Sequence, residues 1–346
     1  MSRIEWVVLS RLASRIGTTL IVLVEGLNTW RFDQLAKVGG PMLGLSAIVL
    51  NAALWSLSTL PVALLVGAIL GMLDLQQRRE LTVIFAVGTS VWRVLRAPLI
   101  AVVILGAALA LAGDTAIVTL MRPINVALPQ QNQNTGLWLE QKGDGLDYVI
   151  SARHSQAGGT VLETAIFFLP AAIGGPRIET GRAELVDGAW QIAEGTRFRP
   201  EARAEPVRDL RGPTTTTRGD LGARLVSPVE MTLFDIVDLM ALEISDPQLR
   251  SGVQMRLAKL VALPLALAAS LLIAFAFTSG YRRTNKYGGT VLYGIVLGFV
   301  VYVVTEMAAS AGSAGILQPA FAAFVPALVA IFVGTTVLLF REDGQR

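Results

Sequence analysis

The stretch Ala97–Met121 reads APLIAVVILGAALALAGDTAIVTLM, and the polar block that follows it, from about Arg122 to Arg256, contains no comparable apolar run. A helix needs roughly 20 mostly apolar residues to cross a bilayer, so the chain can cross at Ala97–Met121 but not within the block. Both flanks of the block consist almost entirely of such runs. The six predicted spans are Leu12–Trp30, Pro41–Leu73, Ala97–Met121, Ala258–Ser279, Gly288–Ala308 and Ile316–Phe340.

The composition is typical of a membrane protein. Of the 346 residues, 53% are hydrophobic and 16% are charged, and the mean hydropathy is +0.57, whereas soluble domains average about 25% charged residues. The first span is long for a cleaved signal and no clear cleavage site follows it, so we expect it to remain as a helix. The net charge of +3 gives no reason to expect a nucleic-acid partner.

The distribution of arginine and lysine predicts the orientation of the chain, because short cytoplasmic loops carry the excess of positive charge. The short loops on the other side carry only Arg31 and Lys37. Both termini are therefore expected in the cytoplasm, with the polar block outside it. The residues on the predicted cytoplasmic side are Arg3, Arg11, Arg15, Arg78, Arg79, Arg93, Arg96, Arg282, Arg283, Lys286, Arg341 and Arg346.

The polar block has the pattern of short β-strands. Apolar and polar residues alternate around Tyr148–Ala152 and Leu162–Phe168, which is the period of half-buried strands. Gly158-Gly159 separates those two runs, and Asp187-Gly188 lies between two others, which is a strong hairpin signal. The pattern predicts a sandwich, jelly roll or open barrel. Residues 199–220 are expected to form a loop or an irregular edge, and 231–244 are expected to be helical.

Few residue types suited to catalysis are present. The chain has no cysteine and one histidine, His154, which excludes disulfides, thiol nucleophiles and multi-histidine metal sites. No Gly-x-Ser-x-Gly elbow or Gly-x-x-x-x-Gly-Lys phosphate loop occurs. We therefore predict no catalytic residue, no metal and no cofactor, and any ATP hydrolysis must take place in another chain.

Three acidic residues fall within the predicted spans, where charge is costly and often functional. Glu25 lies ~15 Å beyond Arg15 along a helix and so near the middle of the membrane. It is either a substrate or proton site or the internal partner of another polar group. Asp114 and Glu306 fall close to the outer interface, and a structural role is expected for both.

The loop between the second and third spans has the most distinctive sequence. Apolar residues recur at helical spacing after Glu80, an acid that suits a helix N-terminus, and Ser90 can cap a further turn. The pattern predicts a short amphipathic helix, within about residues 76–94, that either anchors the loop at the membrane surface or docks a cytoplasmic motor. The candidate docking residues are Glu80, Leu81, Ile84, Phe85, Gly88, Ser90 and Trp92.

The same loop resembles the LptF/LptG family, the membrane permeases of the lipopolysaccharide export ABC transporter. The family has a small-residue span, an acid-Leu pair, an apolar turn and Gly-x-Ser in this order. The sequence Glu80–Val83 resembles LptG more than LptF. Arg78 and Arg79 depart from the family, which usually has acidic or small residues there. The further segments that resemble the family are Gly136–Leu139, Ala183–Trp190, Arg256–Pro264, Gly294–Gly298 and Gly315–Pro326.

The resemblance implies an α-helical membrane protein with six transmembrane helices and an inserted, jelly-roll-like all-β periplasmic domain. Residues 1–122 then hold spans one to three, 123–250 the β domain with a connecting helix, and 251–346 spans four to six. The implied setting is the inner membrane of a Gram-negative bacterium, and the chain is not itself an enzyme. The implied partners are a second LptF/LptG-type permease, a dimer of the cytoplasmic ATPase LptB, LptC and lipopolysaccharide.

Arg31 and Lys37 lie near the outer edge of the first span, where the phosphates of an anionic lipid need cations. With Glu25 they form the candidate substrate site, although interfacial snorkelling explains the two cations equally well. Three other readings stay open at this point. They are a permease for another amphipathic lipid, a membrane assembly scaffold without a motor, and an intramembrane enzyme that uses Glu25 or Asp114.

Overall fold

A computed structural model of the chain describes residues 3–35, 40–86, 90–127, 137–143, 146–156, 160–170, 177–199, 203–214, 216–217, 220–221, 231–241, 244, 246–278 and 287–343. The chain forms two compact units. One contains Met1–Leu128 and Gln254–Arg346, and the other contains Pro129–Val253.

The first unit is helical. Its helices are α1 (Arg3–Leu35), α2 (Gly40–Gln77), α3 (Glu80–Ala86), α4 (Val91–Ala108), α5 (Asp114–Ala127), α7 (Pro247–Thr278, which begins in the second unit), α8 (Tyr287–Ser313) and α9 (Pro319–Asp343). A five-residue π-helical segment, Leu109–Gly113, joins α4 to α5. Ser90 caps α4, as its sequence predicts, because its side chain accepts a hydrogen bond from the Arg93 amide.

Five helices within the described residues are long and apolar enough to cross a membrane: Val49–Gln77, Val91–Met121, Pro247–Thr278, Val296–Ser313 and Pro319–Phe340. They correspond to the second to sixth predicted spans. The first predicted span lies in α1, which is continuous over 33 residues; the side chains of residues 23–35 lie outside the described part of the chain.

The second unit contains a six-stranded antiparallel sheet in the order β1-β2-β3-β4-β5-β6. The strands are β1 (Leu137–Gly143), β2 (Leu146–Gln156), β3 (Val161–Phe168), β4 (Arg177–Val186), β5 (Ala189–Phe198) and β6 (Glu205–Pro213), and a helix α6 (Leu233–Ala241) follows. The predicted class, a helical membrane protein with an inserted β domain, is confirmed. Neighbouring strands follow one another in sequence, so the described strands form a meander.

The hairpin predicted at Asp187-Gly188 is confirmed. Both residues have positive φ, 49° and 72°, as a two-residue type I′ turn requires. The helix predicted over residues 231–244 is also confirmed by α6. Of the loop or irregular edge expected over residues 199–220, Glu205–Pro213 forms an edge, the regular strand β6, which pairs along β5. Arginines and prolines hide the alternation there. Gly158-Gly159 lies outside the described residues.

The buried side of two neighbouring strands, β3 and β4, changes at the same point of the sheet. On β3 the buried side changes between Leu162 and Ala165, and on β4 it changes between Thr180 and Ala183. The register between the two strands is the same before and after this point. Thr164 has φ 51° there, which is unusual for a β-branched residue. The pairing of β3 with β4 is therefore kept while the buried side of both strands changes.

Side-chain hydrogen bonds in the interior of the sheet join β1 and β2, at one end of the strand order, to β6 and the residues that follow it, at the other end. The side-chain oxygen of Gln141 on β1 accepts from Trp190 Nε1 at 3.2 Å, Thr214 Oγ1 at 2.5 Å and Thr216 Oγ1 at 3.0 Å. The Tyr148 hydroxyl donates to the Pro213 carbonyl at 3.0 Å, and burial raises the pKa of this phenol. The sheet is therefore curled, and its apolar core lies on the inner side around Trp190 and Ile150.

We predict that Gln141→Leu loosens this curl. The change removes one acceptor from three donors, and an unsatisfied buried donor costs about 1–3 kcal/mol. Limited proteolysis of the full-length protein is expected to cleave the β unit faster. Gln191→Leu, the same change at a half-buried position on β5, is the matched control. Equal cleavage rates in the two variants would contradict the role of Gln141.

Candidate functional site

A tight turn and the short helix α3 connect α2 to α4. The amides of Arg78 and Arg79 donate to the carbonyls of Asp74 and Gln76 at 3.1 and 3.0 Å. Arg79 has φ 60°, the left-handed conformation that commonly terminates a helix. The side chains of Arg78 and Arg79 are exposed, so the turn presents two cations directly before Glu80.

Helix α3 is fixed by one face and leaves another open. Leu81 is 3% exposed and belongs to the apolar core of the helical unit, and Ile84 packs against that core together with Trp92 of α4. Val83, in contrast, is 63% exposed. The helix is therefore anchored by Leu81 and Ile84, and it offers Val83 and the adjacent turn to solvent.

Arginines of α1 meet the carboxylates of this junction. Arg15 lies 3.1 Å from Asp74 Oδ1, and Arg78 lies 3.4 Å from Asp74 Oδ2. Arg11 lies 3.8 Å from Glu80 Oε1. The second oxygen of Glu80 has no hydrogen-bond partner among the described residues. The junction thus links α1 to both α2 and α3.

Two glycines bring α1 and α2 into close contact. A Cβ atom built on Gly67 would lie 2.6 Å from the Ile16 Cα, and one built on Gly71 would lie 2.8 Å from Leu12 Cδ2. Small residues four apart allow such close approach between membrane helices. The end of α2 is also joined to α7, because the Gln76 side-chain amide donates to the Thr278 carbonyl.

Deeper in the helical unit, α7 carries two cations that each pair with an acid on another helix. Arg256 contacts Asp114 of α5, whose side chain is fully buried. Lys259 Nζ lies 3.2 and 3.3 Å from the two carboxylate oxygens of Glu306 on α8. Asp114 Oδ2 and Arg256 Nε are buried and have no hydrogen-bond partner within the described part of the chain, so the first pair is end-on rather than bidentate.

Residues 17–341 match a family described as the lipopolysaccharide export system permease LptF/LptG. The chain belongs to the LptF/LptG family. The match covers nearly the whole chain, and it confirms the family predicted from the ordered motifs. In a comparison with curated proteins, no sequence matches this chain.

Membership of the LptF/LptG family makes this chain a multi-pass inner-membrane permease subunit of lipopolysaccharide export. Such a subunit transports rather than catalyses. Within the described residues, no group of three or more His, Asp or Glu side chains is placed to hold a metal ion. His154 lies on β2.

The structure gathers some of the predicted site residues and leaves others undescribed. Glu80, Leu81, Ile84 and Phe85 fall on α3, and Ser90 and Trp92 fall at the start of α4. Leu81 is buried within this chain, so it fixes α3 rather than lying on the open face. The Phe85 side chain and Gly88 lie outside the described part of the chain. So do Lys37 and the side chains of Glu25 and Arg31, whose backbone lies in α1.

Sequence reasoning missed the arginine and lysine partners. No acidic partner was predicted for Arg11 or Arg15, although their spacing of four places both on one face of α1. Arg256 and Lys259 were used only in the family resemblance. The two cations are three positions apart and lie at the same depth as the acids of two other spans. This arrangement was the signal that could have predicted the ion pairs.

We predict that Gly67→Ala destabilises the helical unit, because the added methyl group meets the backbone of α1 rather than a flexible side chain. Overpacking of this kind costs about 1–3 kcal/mol. Thermal unfolding in detergent is the measurement. Gly17→Ala is the matched control, since a Cβ at this helical position meets nothing within 4 Å. A melting temperature that is unchanged in Gly67→Ala would contradict the close contact.

Proposed function

We propose that this permease extracts lipopolysaccharide from the outer leaflet of the inner membrane, driven by ATP hydrolysis in a dimer of LptB that docks on α3. The anchored position of α3 carries the proposal. Its inner face is fixed by Leu81 and Ile84, and its outer face exposes Val83 beside Glu80. A helix that is fixed on one side and open on the other can transmit a push from a partner.

The contacts of the junction give this push a route into the membrane. Arg11 and Arg15 connect the junction to α1, and Gly67 and Gly71 hold α1 against α2. Gln76 connects the junction to the end of α7. A displacement of α3 would therefore move the ends of several helices together. The exposed Arg78 and Arg79, which depart from the family pattern, would set the charge of the ATPase interface.

The remaining parts of the proposed complex follow from the family. A second LptF/LptG-type permease would complete the lipid cavity, with this chain as the LptG-like member. Both termini and α3 would lie in the cytoplasm, and the curled sheet would lie in the periplasm and pass the lipid to LptC. Arg31 and Lys37 would hold the lipid phosphates near the outer edge of α1, with Glu25 deeper in the same helix.

We predict that Glu80→Ala weakens the association with LptB and lowers lipid-dependent ATPase activity at least about tenfold. Loss of one partner of a charge pair at an interface costs about 2–5 kcal/mol, where 1.4 kcal/mol corresponds to tenfold. Copurification and ATPase assays on the reconstituted complex measure this. Glu179→Ala is the matched control, since Glu179 is a half-exposed acid paired with Arg177 on the sheet. Full ATPase binding and activity in Glu80→Ala would refute the docking role.

Arg31→Ala and Lys37→Ala are expected to reduce photocrosslinking of lipopolysaccharide to the complex, because each removes a cation from the proposed phosphate site. Arg199→Ala, an exposed arginine beyond β5, controls for the loss of one positive charge. If both variants cross-link as the unaltered protein does, the substrate assignment fails. If a different anionic lipid cross-links in preference to lipopolysaccharide, the alternative of another amphipathic substrate is favoured.

A further inference from the structure

Four helices of the membrane unit, α2, α7, α8 and α9, line a pocket. Small side chains create the space. At Gly298 even a single added Cβ would lie 3.1 Å from Leu65 Cδ2 of α2, so this glycine lets α8 approach α2 beside the pocket. The small residues of the wall are Ala266, Ala269, Gly298, Ala323, Ala327 and Ala330.

The pocket is apolar along its length and polar at one end. Gly298 and Glu306 both line it and lie eight positions apart on one helix, so the pocket extends for ~12 Å along α8. Tyr302 and Glu306 are at the polar end, where Lys259 contacts Glu306. The Thr305 hydroxyl is engaged with the Val301 carbonyl at 2.8 Å.

The lysine at this end retains capacity for a ligand. Its ammonium has three N–H donors, and two of them suffice for the contacts at 3.2 and 3.3 Å with the Glu306 oxygens. The side chains of Lys259 and Glu306 are 38% and 39% exposed. A third donor can therefore bind a further oxygen that approaches from outside the protein.

The surroundings decide which class of molecule fits. All four helices contain membrane-crossing segments, so the molecules around them are lipids, whose acyl chains reach the pocket at high concentration. Water gains too few hydrogen bonds in an apolar cavity of this kind, and an empty cavity is destabilising in proportion to its volume. The pocket itself is lined at its polar end by Glu306, and Lys259 lies beside it as the partner of that acid. An elongated apolar space next to a half-exposed lysine matches an acyl chain that carries an anionic headgroup.

We propose that this pocket binds one acyl chain of an anionic lipid, with the lipid phosphate at Lys259. The site lies within a single permease chain, so it is separate from a cavity between two permeases, and it does not depend on the docking role of α3. The bound acyl chain can belong either to a bilayer phospholipid or to the exported lipid, because both lipids carry acyl chains below phosphates.

Photolabelling of the assembled complex in nanodiscs tests the site. The probe is phosphatidylglycerol with a diazirine at the end of one acyl chain, and labelled peptides are identified by mass spectrometry. We expect label around Ala269 and Ala327 above that at Phe332, which is exposed on α9. Label at the two pocket positions that does not exceed the label at Phe332 would overturn the proposal.

Ala269→Phe fills the pocket and is expected to lower its labelling about tenfold, as loss of ~1.4 kcal/mol of binding would. Ala320→Phe, the same change at an exposed position of α9, should leave the labelling unchanged. Should Ala269→Phe fail to assemble, Ala327→Leu fills the same space with a smaller side chain. Equal labelling of the filled and control variants would refute acyl-chain binding.

Lys259→Gln tests the contribution of the lipid headgroup separately from that of the acyl chain. It should lower labelling by the phosphatidylglycerol probe but not by a phosphatidylcholine probe with the same diazirine chain, whose headgroup has no net charge. An equal effect on both probes would overturn the assignment of the phosphate to Lys259. Competition by unlabelled lipopolysaccharide would identify the exported lipid as an occupant, and its failure would identify the phospholipid, with the site supported in either case.

Discussion

The hydrocarbon core of a bilayer offers no hydrogen-bond partners, and this constraint explains most of the helical unit. Acid and cation face each other wherever charge lies deep in the described helices, as with Asp114 and Arg256. A single partner missing from such a pair leaves a buried charge, which costs far more than the pair contributes. Close contact at Gly67 and Gly71 supplies the packing that the hydrophobic effect cannot supply between helices in lipid.

The same constraint places half-exposed ion pairs at the ends of the helices. Charged side chains cluster at the junction of α2 and α3, where they are partly exposed and pair with α1. Arg15 contacts Asp74, and Arg11 contacts Glu80. Half-exposed pairs of this kind contribute little stability, so they can exchange partners at low cost. In the proposed mechanism the glycine contact keeps α1 and α2 together while the surface pairs adapt to the ATPase.

The span pattern, the β insert, the hairpin at Asp187-Gly188 and the start of α3 at Glu80 could all be predicted from sequence, because each depends on local periodicity or turn chemistry. Partners far apart in the chain could not. Nothing local pairs Lys259 with Glu306 or closes the sheet through Gln141. Polar and proline residues mask the alternation of β6, so the sequence left open whether residues 199–220 form a loop or an edge.

In the proposed mechanism, α3 is a cytoplasmic lever and the curled sheet is a periplasmic module. One membrane crossing, Val91–Met121, separates them in the chain. Because the protein contains no cysteine, single cysteines at the exposed positions Arg79 and Glu194 can be labelled without background. In intact cells with a permeabilised outer membrane, an impermeant maleimide should label Glu194→Cys and spare Arg79→Cys until the inner membrane is broken. Labelling of both cysteines in the intact cells would contradict the mechanism.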